Sequence, residues 1–118
     1  MTYFWVFVGG GIGSLCRFGL GQWLNRSGEY PWGTLLANGL ACIILGVLVG
    51  WASKQSLSVE MRLLLMTGFC GGFSTFSTFS NELVQMLRQA DYLSAFTYLM
   101  MSLTFGLIAI WLGMRVIN

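Results

Sequence analysis

Apolar residues dominate four long stretches of the chain that contain no charged side chain. The stretches run over residues 1–16, 31–53, 63–81 and 92–114. A bilayer core about 30 Å thick is crossed by about 20 helical residues. Each stretch, with its flanking residues, therefore predicts one transmembrane helix. The predicted helices cover residues 3–24, 32–52, 62–88 and 93–116.

Composition supports a membrane protein and excludes several other classes. Of the 118 residues 56% are hydrophobic and 8% are charged, whereas about 25% are charged in an ordinary soluble domain. The chain has no His, which excludes a serine triad and the usual zinc sites. A net charge of +2 with dispersed basic residues does not suit a nucleic acid. We expect a single all-α transmembrane domain over residues 1–118, and not an enzyme.

The basic residues give the chain almost no preferred orientation in a membrane. With both termini on one side, that side holds Lys54, Arg62 and Arg115, and the other side holds Arg26 and Arg88. Orientation follows the excess of Lys and Arg on the cytoplasmic side, and three against two is a very small excess. Two interpretations remain open: a weakly specified small protein, or dual topology in which oppositely inserted copies pair antiparallel.

Glycine pairs spaced four residues apart indicate close helix packing. Small residues allow helix backbones to approach each other in lipid, where burial of large apolar side chains gains little. The run of glycines near the N-terminus does not fit a nucleotide-binding loop, because its spacing is not G-x-G-x-x-G and no strand precedes it. The pairs are Gly9/Gly13, Gly46/Gly50 and Gly68/Gly72.

A few polar side chains fall inside the first two predicted helices, where each is costly unless it has a partner. Arg17 either extends its side chain to the membrane surface or is a buried cation that attracts anions. Thr34 and Asn38 are one turn apart and share a helix face. Asn38 either bonds another helix or offers its amide N–H groups to an anion.

The third predicted helix contains a sequence that is poorly suited to continuous helix. Gly71 and Gly72 are followed by residues 73–82, none of which has an aliphatic side chain, and Ser and Thr hydroxyls can satisfy freed backbone groups. We expect a break near residues 71–75, at mid-membrane. Backbone carbonyls at such a break suit a small cation, and N–H groups suit an anion. The alternative is a kink without a ligand.

Aromatic and hydroxyl side chains follow the expected break in separate rows. Phe76 and Phe79 recur at a spacing of three, beside hydroxyls that include Ser77 and Thr78. The edges of aromatic rings are electropositive. A path of ring edges, hydroxyls and an amide therefore suits a small hydrated anion. We expect no carboxylate on this path, and Glu82, just past the ring row, is left without an assigned role.

Three motifs together resemble the small dual-topology fluoride channels of the Fluc or CrcB family. The third motif is highly specific, and the resemblance covers nearly the whole chain. The motifs are GGGIGSLCRF over 9–18, GTLLAN over 33–38 and GFCGGFSTFSTF over 68–79. The resemblance implies an antiparallel homodimer in the cell (inner) membrane, with two pores for passive, selective export of fluoride. Each pore would be lined by both subunits.

The resemblance also implies roles for individual residues. Backbone carbonyls of Gly71 and Ser74 match those that hold a structural Na⁺ at the centre of the dimer. Ser77 and Thr78 are also predicted to line the pore, because they belong to the row of hydroxyl side chains beside the two phenylalanines. The pore residues that match the family are Phe76, Phe79, Asn38, Thr34, Tyr98, Ser102 and Arg17. Gly106 stands where another hydroxyl is expected along the last helix.

Two other functions are compatible with four short helices. A small multidrug-resistance exporter has this length and topology, but it needs a carboxylate in its first helix, and residues 1–22 contain none. A structural subunit of a larger membrane complex is the other alternative. Crosslinking that finds only a different partner protein would favour that subunit.

Overall fold

The regular structure of the chain is entirely helical over the residues that the computed structural model describes, which are 1–25, 30–55 and 57–117. The helices are α1 (Thr2–Leu24), α2 (Trp32–Lys54), α3 (Val59–Met61), a π-helical stretch (Arg62–Cys70), α4 (Gly71–Phe73), α5 (Phe76–Arg88) and α6 (Tyr92–Ile117). Three of these, α3, the π-helical stretch and α4, follow one another without a gap, and together they are called the 59–73 helix. The connection predicted between the first two helices falls mostly on residues 26–29, outside the described residues.

Three helices are long and apolar enough to cross a membrane: Thr2–Leu24, Trp32–Lys54 and Tyr92–Val116. Large apolar side chains project outward from the helices; Leu15 is 72% exposed and Leu107 is 71% exposed. A soluble protein does not expose apolar surface on this scale, whereas lipid covers it without cost. The prediction of an all-helical, multi-pass membrane protein is therefore confirmed.

The third segment, which follows α2, is divided into two helices. The 59–73 helix ends at Phe73, and α5 begins at Phe76. Between them Ser74 has ψ 154° and Thr75 has φ −153° and ψ 126°, which is extended backbone. Gly71 and Gly72 are themselves helical. The chain therefore leaves the helix at the first Ser-Thr pair rather than at the glycines.

Nine residues before this interruption, Arg62–Cys70, form a π-helix, which the sequence did not predict. Such wide turns are rare and are often found near functional sites. Here the π-helical stretch packs along α1. A Cβ added at Gly9 would collide with the carbonyl oxygen of Leu64, and one added at Gly13 would collide with that of Phe69.

Close glycine contacts pair the helices in two sets. Alongside the contact of α1 with the 59–73 helix, α2 packs against α6, where a Cβ at Gly46 would collide with the carbonyl of Ile110. A Cβ at Gly50 would lie 2.8 Å from the carbonyl oxygen of Met114. All six glycines of the predicted pairs meet backbone atoms of another helix. The interpretation of these glycines as packing residues is confirmed.

α2 lies at the centre of the packing, because it contributes to both buried clusters. In one, Leu35 packs with Phe79 of α5 and Tyr98 of α6. In the other, Ala37 and Ala41 pack with Phe73 at the end of the 59–73 helix. The interruption between Phe73 and Phe76 therefore lies against α2.

Candidate functional site: a neutral cavity at the interrupted helix

Side-chain hydrogen bonds build the interruption of the third segment. The Ser74 hydroxyl donates to the Cys70 carbonyl oxygen at 2.8 Å, which closes the end of the 59–73 helix. The Thr75 hydroxyl accepts the Thr78 N–H at 3.3 Å and so caps the first turn of α5. The Thr75 N–H donates across to Asn38 Oδ1 at 3.0 Å. Ser and Thr thus replace the missing helical bonds, as they do at helix starts elsewhere.

Two backbone carbonyls lose their helical donors through these bonds. In a continuous α-helix the Gly71 carbonyl would accept from the Thr75 N–H, and the Ser74 carbonyl from the Thr78 N–H. Both N–H groups instead bond to side chains, those of Asn38 and Thr75. Carbonyls released at a broken membrane helix are suitable ligands for Na⁺. The donor chemistry at Gly71 and Ser74 therefore fits the cation that the resemblance implies.

Arg17 donates a hydrogen bond to the backbone carbonyl that follows Gly71, that of Gly72. Its Nε donates to the Gly72 carbonyl oxygen at 3.1 Å, so that α1 is tied to the end of the 59–73 helix. Among the described residues there is no group of three His, Cys, Asp or Glu side chains that could hold a metal ion. A cation at the interruption would thus depend on backbone oxygens.

A cavity of about 260 Å³ opens beside the interruption, between α2, α5 and α6. Five of the predicted site residues line it: Asn38, Ser74, Phe76, Phe79 and Ser102. Gly106 lines the far part of the cavity without adding a hydroxyl. No charged side chain is among the described residues that line it.

The cavity is lined by hydrogen-bond donors and by two aromatic rings. Asn38 Oδ1 is engaged by the Thr75 N–H, so the amide presents its donor end, Nδ2, to anything else that binds there. The Ser102 hydroxyl is a second donor. The rings of Phe76 and Phe79 lie 6.2 Å apart and are tilted by 44° to each other. Such a neutral lining can replace the hydration of an anion without trapping it.

The two rings differ sharply in burial. Phe79 is 8% exposed and packs inside the chain, whereas Phe76 is 80% exposed. The Phe76 side of the cavity is therefore open in a single chain. A second surface is needed there before the cavity can be a closed path.

The other predicted pore residues lie apart from the cavity. Ser77 is exposed, and Thr78 bonds with Thr75 at the start of α5. Thr34 and Tyr98 are buried behind Phe79, where Tyr98 contacts the Phe79 ring at a centroid distance of 5.0 Å. Their hydroxyls meet at the carboxylate of Glu82.

Glu82 is the residue that sequence reasoning missed. Tyr98 donates to its Oε1 at 2.7 Å, and Thr34 donates to its Oε2 at 2.9 Å. Two predicted pore residues thus meet at a carboxylate that the sequence left without a role, because α5 continues without a gap from Phe76 to Arg88 and turns Glu82 inward. The available signal was that Glu82 is the one acidic residue between Arg62 and Arg88.

A family model described as CrcB-like protein, Camphor Resistance (CrcB), matches residues 4–114. That match spans almost the whole chain and includes every residue of the site, from Arg17 to Ser102. The chain belongs to the CrcB family. The matched CrcB region also includes Glu82 and the two glycine-packed helix pairs.

Several CrcB relatives are similar over nearly their whole length, and each carries the name fluoride-specific ion channel FluC. One from Phocaeicola vulgatus is 44% identical over 92% of this chain and 91% of its own length. One from Gloeothece citriformis is 40% identical over 96% of this chain and 94% of its own. One from Flavobacterium psychrophilum is 37% identical over 96% of this chain and 94% of its own length.

Proposed function

We propose that this CrcB chain is one subunit of a fluoride-selective channel that lets fluoride leave the cell passively across the inner membrane. The names of its relatives support the choice of ion. The observation that carries the proposal is the neutral cavity at the interrupted helix, with the Asn38 amide held by Thr75 so that its donors are available. The protein transports an ion and catalyses no reaction.

The lining of the cavity favours a small, strongly hydrated anion. Amide and hydroxyl donors replace water around the ion, and the ring edges of Phe76 and Phe79 add weak positive potential. A fixed Lys or Arg would hold fluoride more tightly, but conduction requires that the ion also leaves. Arg17 is engaged with the Gly72 carbonyl rather than lining the cavity.

A second, inverted copy of the chain is the surface that would complete each path. Phe76 lines the cavity and is 80% exposed in one chain, so a second copy placed there would cover both the ring and the open side of the cavity. The nearly even distribution of Lys and Arg allows both orientations. An antiparallel homodimer related by a two-fold axis would present each Phe76 to its partner and form two equivalent pores.

A structural Na⁺ fits the carbonyls of Gly71 and Ser74 in this proposal. When bound, the cation supplies a positive charge that holds together oxygen dipoles of both subunits. The contribution of this chain is the released carbonyl pair, kept free by the Thr75 N–H bond to Asn38 and by the Thr75 cap on Thr78.

Fluoride efflux from proteoliposomes tests the function. We expect vesicles loaded with potassium fluoride and containing the wild-type protein to release fluoride to an ion-selective electrode once an ionophore balances the charge. Chloride-loaded vesicles should release at least a hundredfold less over the same time. Phe76→Ile and Phe79→Ile should each lower fluoride efflux at least tenfold, because isoleucine keeps apolar volume but has no electropositive ring edge.

The matched control is Phe7→Ile, which replaces a ring that is 71% exposed on α1 and distant in sequence from the cavity. It should leave efflux unchanged. Equal passage of chloride and fluoride, or full efflux from both cavity variants, would overturn the proposed pore.

A further inference from the structure

The Glu82 carboxylate is held by side chains from three other parts of the chain. Tyr98 of α6 donates to one oxygen at 2.7 Å, and Thr34 of α2 donates to the other at 2.9 Å. The third donor is Asn25, which follows the end of α1 and whose Nδ2 lies 3.3 Å from Glu82 Oε2. A half-buried carboxylate is stable in such a place only while its oxygens are satisfied.

Asn25 uses both ends of its amide. Its Oδ1 accepts the Gly33 N–H at 2.6 Å, while its Nδ2 also donates to Thr34 Oγ1 at 3.1 Å. α2 begins after Pro31, which has no side-chain cap to offer, so Asn25 satisfies one of the open N–H groups of the first turn from outside the helix. The approach requires a glycine, because a Cβ at Gly33 would lie 2.8 Å from Asn25 Oδ1.

Hydrogen-bond direction in this cluster follows from the Glu82 carboxylate, which only accepts, and from the Asn25 amide nitrogen, which only donates. The Thr34 oxygen accepts from the Asn25 amide, so the single hydroxyl proton of Thr34 is directed to Glu82. Without Asn25, Glu82 Oε2 would lose one of its two donors, and the Thr34 oxygen would lose the amide that now orients it.

The cluster stands directly behind the cavity wall. Tyr98 donates to Glu82 and packs its ring on Phe79 at a centroid distance of 5.0 Å, and Phe79 lines the cavity. A displaced Glu82 would release Tyr98, and Tyr98 supports the ring that faces the ion. Contacts thus run continuously from the end of α1 to the cavity.

We infer that Asn25 is a positioning residue for conduction, which holds the Thr34 hydroxyl and the Glu82 carboxylate in the arrangement that keeps Tyr98 and Phe79 in place. The inference rests on the proposed fluoride conduction. The Asn25 amide then has two roles. Its Oδ1 caps the start of α2, and its Nδ2 holds Thr34 and Glu82 in place.

The variant Asn25→Asp separates these roles. An aspartate keeps an oxygen for the Gly33 N–H but places a second carboxylate oxygen beside Glu82, where the amide was a donor. We expect fluoride efflux to fall at least tenfold, because the added carboxylate repels Glu82 while the Gly33 N–H keeps its acceptor. Gln89→Glu, which adds the same charge at the exposed end of α5, should conduct as the wild type does. If Asn25→Asp conducts fluoride as fast as the wild type does, Asn25 acts only as a helix cap and the inference is overturned.

A spectroscopic measurement decides the inference without any transport. The infrared carboxylate stretch of Glu82 is assigned as the band that Glu82→Gln removes from the purified protein. Asn25→Leu, similar in size but without hydrogen bonds, should shift that band because Oε2 loses a donor. An unmoved band overturns the positioning role even if the wild type conducts fluoride. If Asn25→Leu shifts the band but the wild type does not conduct fluoride, the hydrogen bond from Asn25 to Glu82 is supported and only the proposed function is rejected.

Discussion

The chemistry of the site depends on how single polar groups are shared at the interruption. Asn38 was predicted from its type and position, since an amide inside an apolar helix must have a partner. Its partner, the Thr75 N–H, could not be read from the sequence, because the pairing joins residues 37 positions apart and depends on how α2 packs on the third segment. The same holds for Asn25 and Glu82, which are 57 positions apart.

Gly71 gives a test of the dimer and its cation at a single residue. A Cβ at Gly71 meets nothing within 4 Å in one chain, as is also true at Gly19 in α1. Alanine in a helix is favoured over glycine by about 1 kcal/mol, so neither Gly71→Ala nor Gly19→Ala should destabilise the isolated chain. If the Gly71 carbonyl faces Na⁺ and a second copy, however, a methyl group there would crowd the dimer centre.

We expect Gly71→Ala to lower the dimer fraction in detergent, measured by light scattering after size exclusion, and to lower fluoride efflux at least tenfold. Gly19→Ala should match the wild type in both. Identical behaviour of the two variants would count against a dimer centred on Gly71.

At the scale of helices, the uncharged hydrophobic stretches of the sequence correctly predicted where the apolar helices lie. The length of a stretch and its lack of charge are enough to predict a helix that can cross a membrane. The interruption was less accurately predicted. Gly71 and Gly72 suggested the break, yet both remain helical, since the break is made where Ser74 and Thr75 can satisfy the backbone. The π-helical stretch (Arg62–Cys70) has no local signal in the sequence, and tertiary contact with the glycine face of α1 accompanies it.

Packing of α1 on the 59–73 helix can be tested with two glycines on the same helix. A Cβ at Gly13 would lie 2.8 Å from the Phe73 nitrogen, next to the interruption, and would also collide with the Phe69 carbonyl, whereas Gly11 faces open space. Backbone atoms cannot move aside as a flexible side chain can. We expect Gly13→Ala to separate the helices, with a thermal midpoint lowered by several degrees and at least tenfold less efflux.

Gly11→Ala is the matched control, and it should keep the wild-type midpoint or raise it slightly through helix propensity. A midpoint for Gly13→Ala that equals that of Gly11→Ala would show that the contact is looser than the structure indicates.

At the scale of the whole molecule, the cavity of a single chain is open on the side of Phe76. The prediction that a second copy closes it rests on the small size of the chain and on its charges. The residue motif identifies the family, whereas in the proposed dimer the charge distribution would decide how two copies are oriented. With Lys54, Arg62 and Arg115 against Arg26 and Arg88, small changes in charge should decide orientation.

Charge-biased variants test whether conduction requires both orientations. Adding two Lys after residue 118 raises the positive residues on the side of the termini from three to five. Combining Lys54→Gln and Arg62→Gln with Gln89→Lys lowers that side to one and raises the other to three. Because Lys and Arg set orientation and acidic residues contribute little, each variant should insert one way only, and a C-terminal Glu-Glu extension should insert as the wild type does.

We expect either biased variant alone to give membrane vesicles at least tenfold less fluoride efflux than the wild type, since antiparallel pairs cannot form. Expressed together in one cell, the two should restore efflux, because each supplies the orientation that the other lacks. Accessibility of an N-terminal tag from each side of the membrane would verify the insertion. Full efflux from a variant shown to insert in a single orientation would exclude the antiparallel pore, since parallel copies would then be sufficient to close the cavity at Phe76.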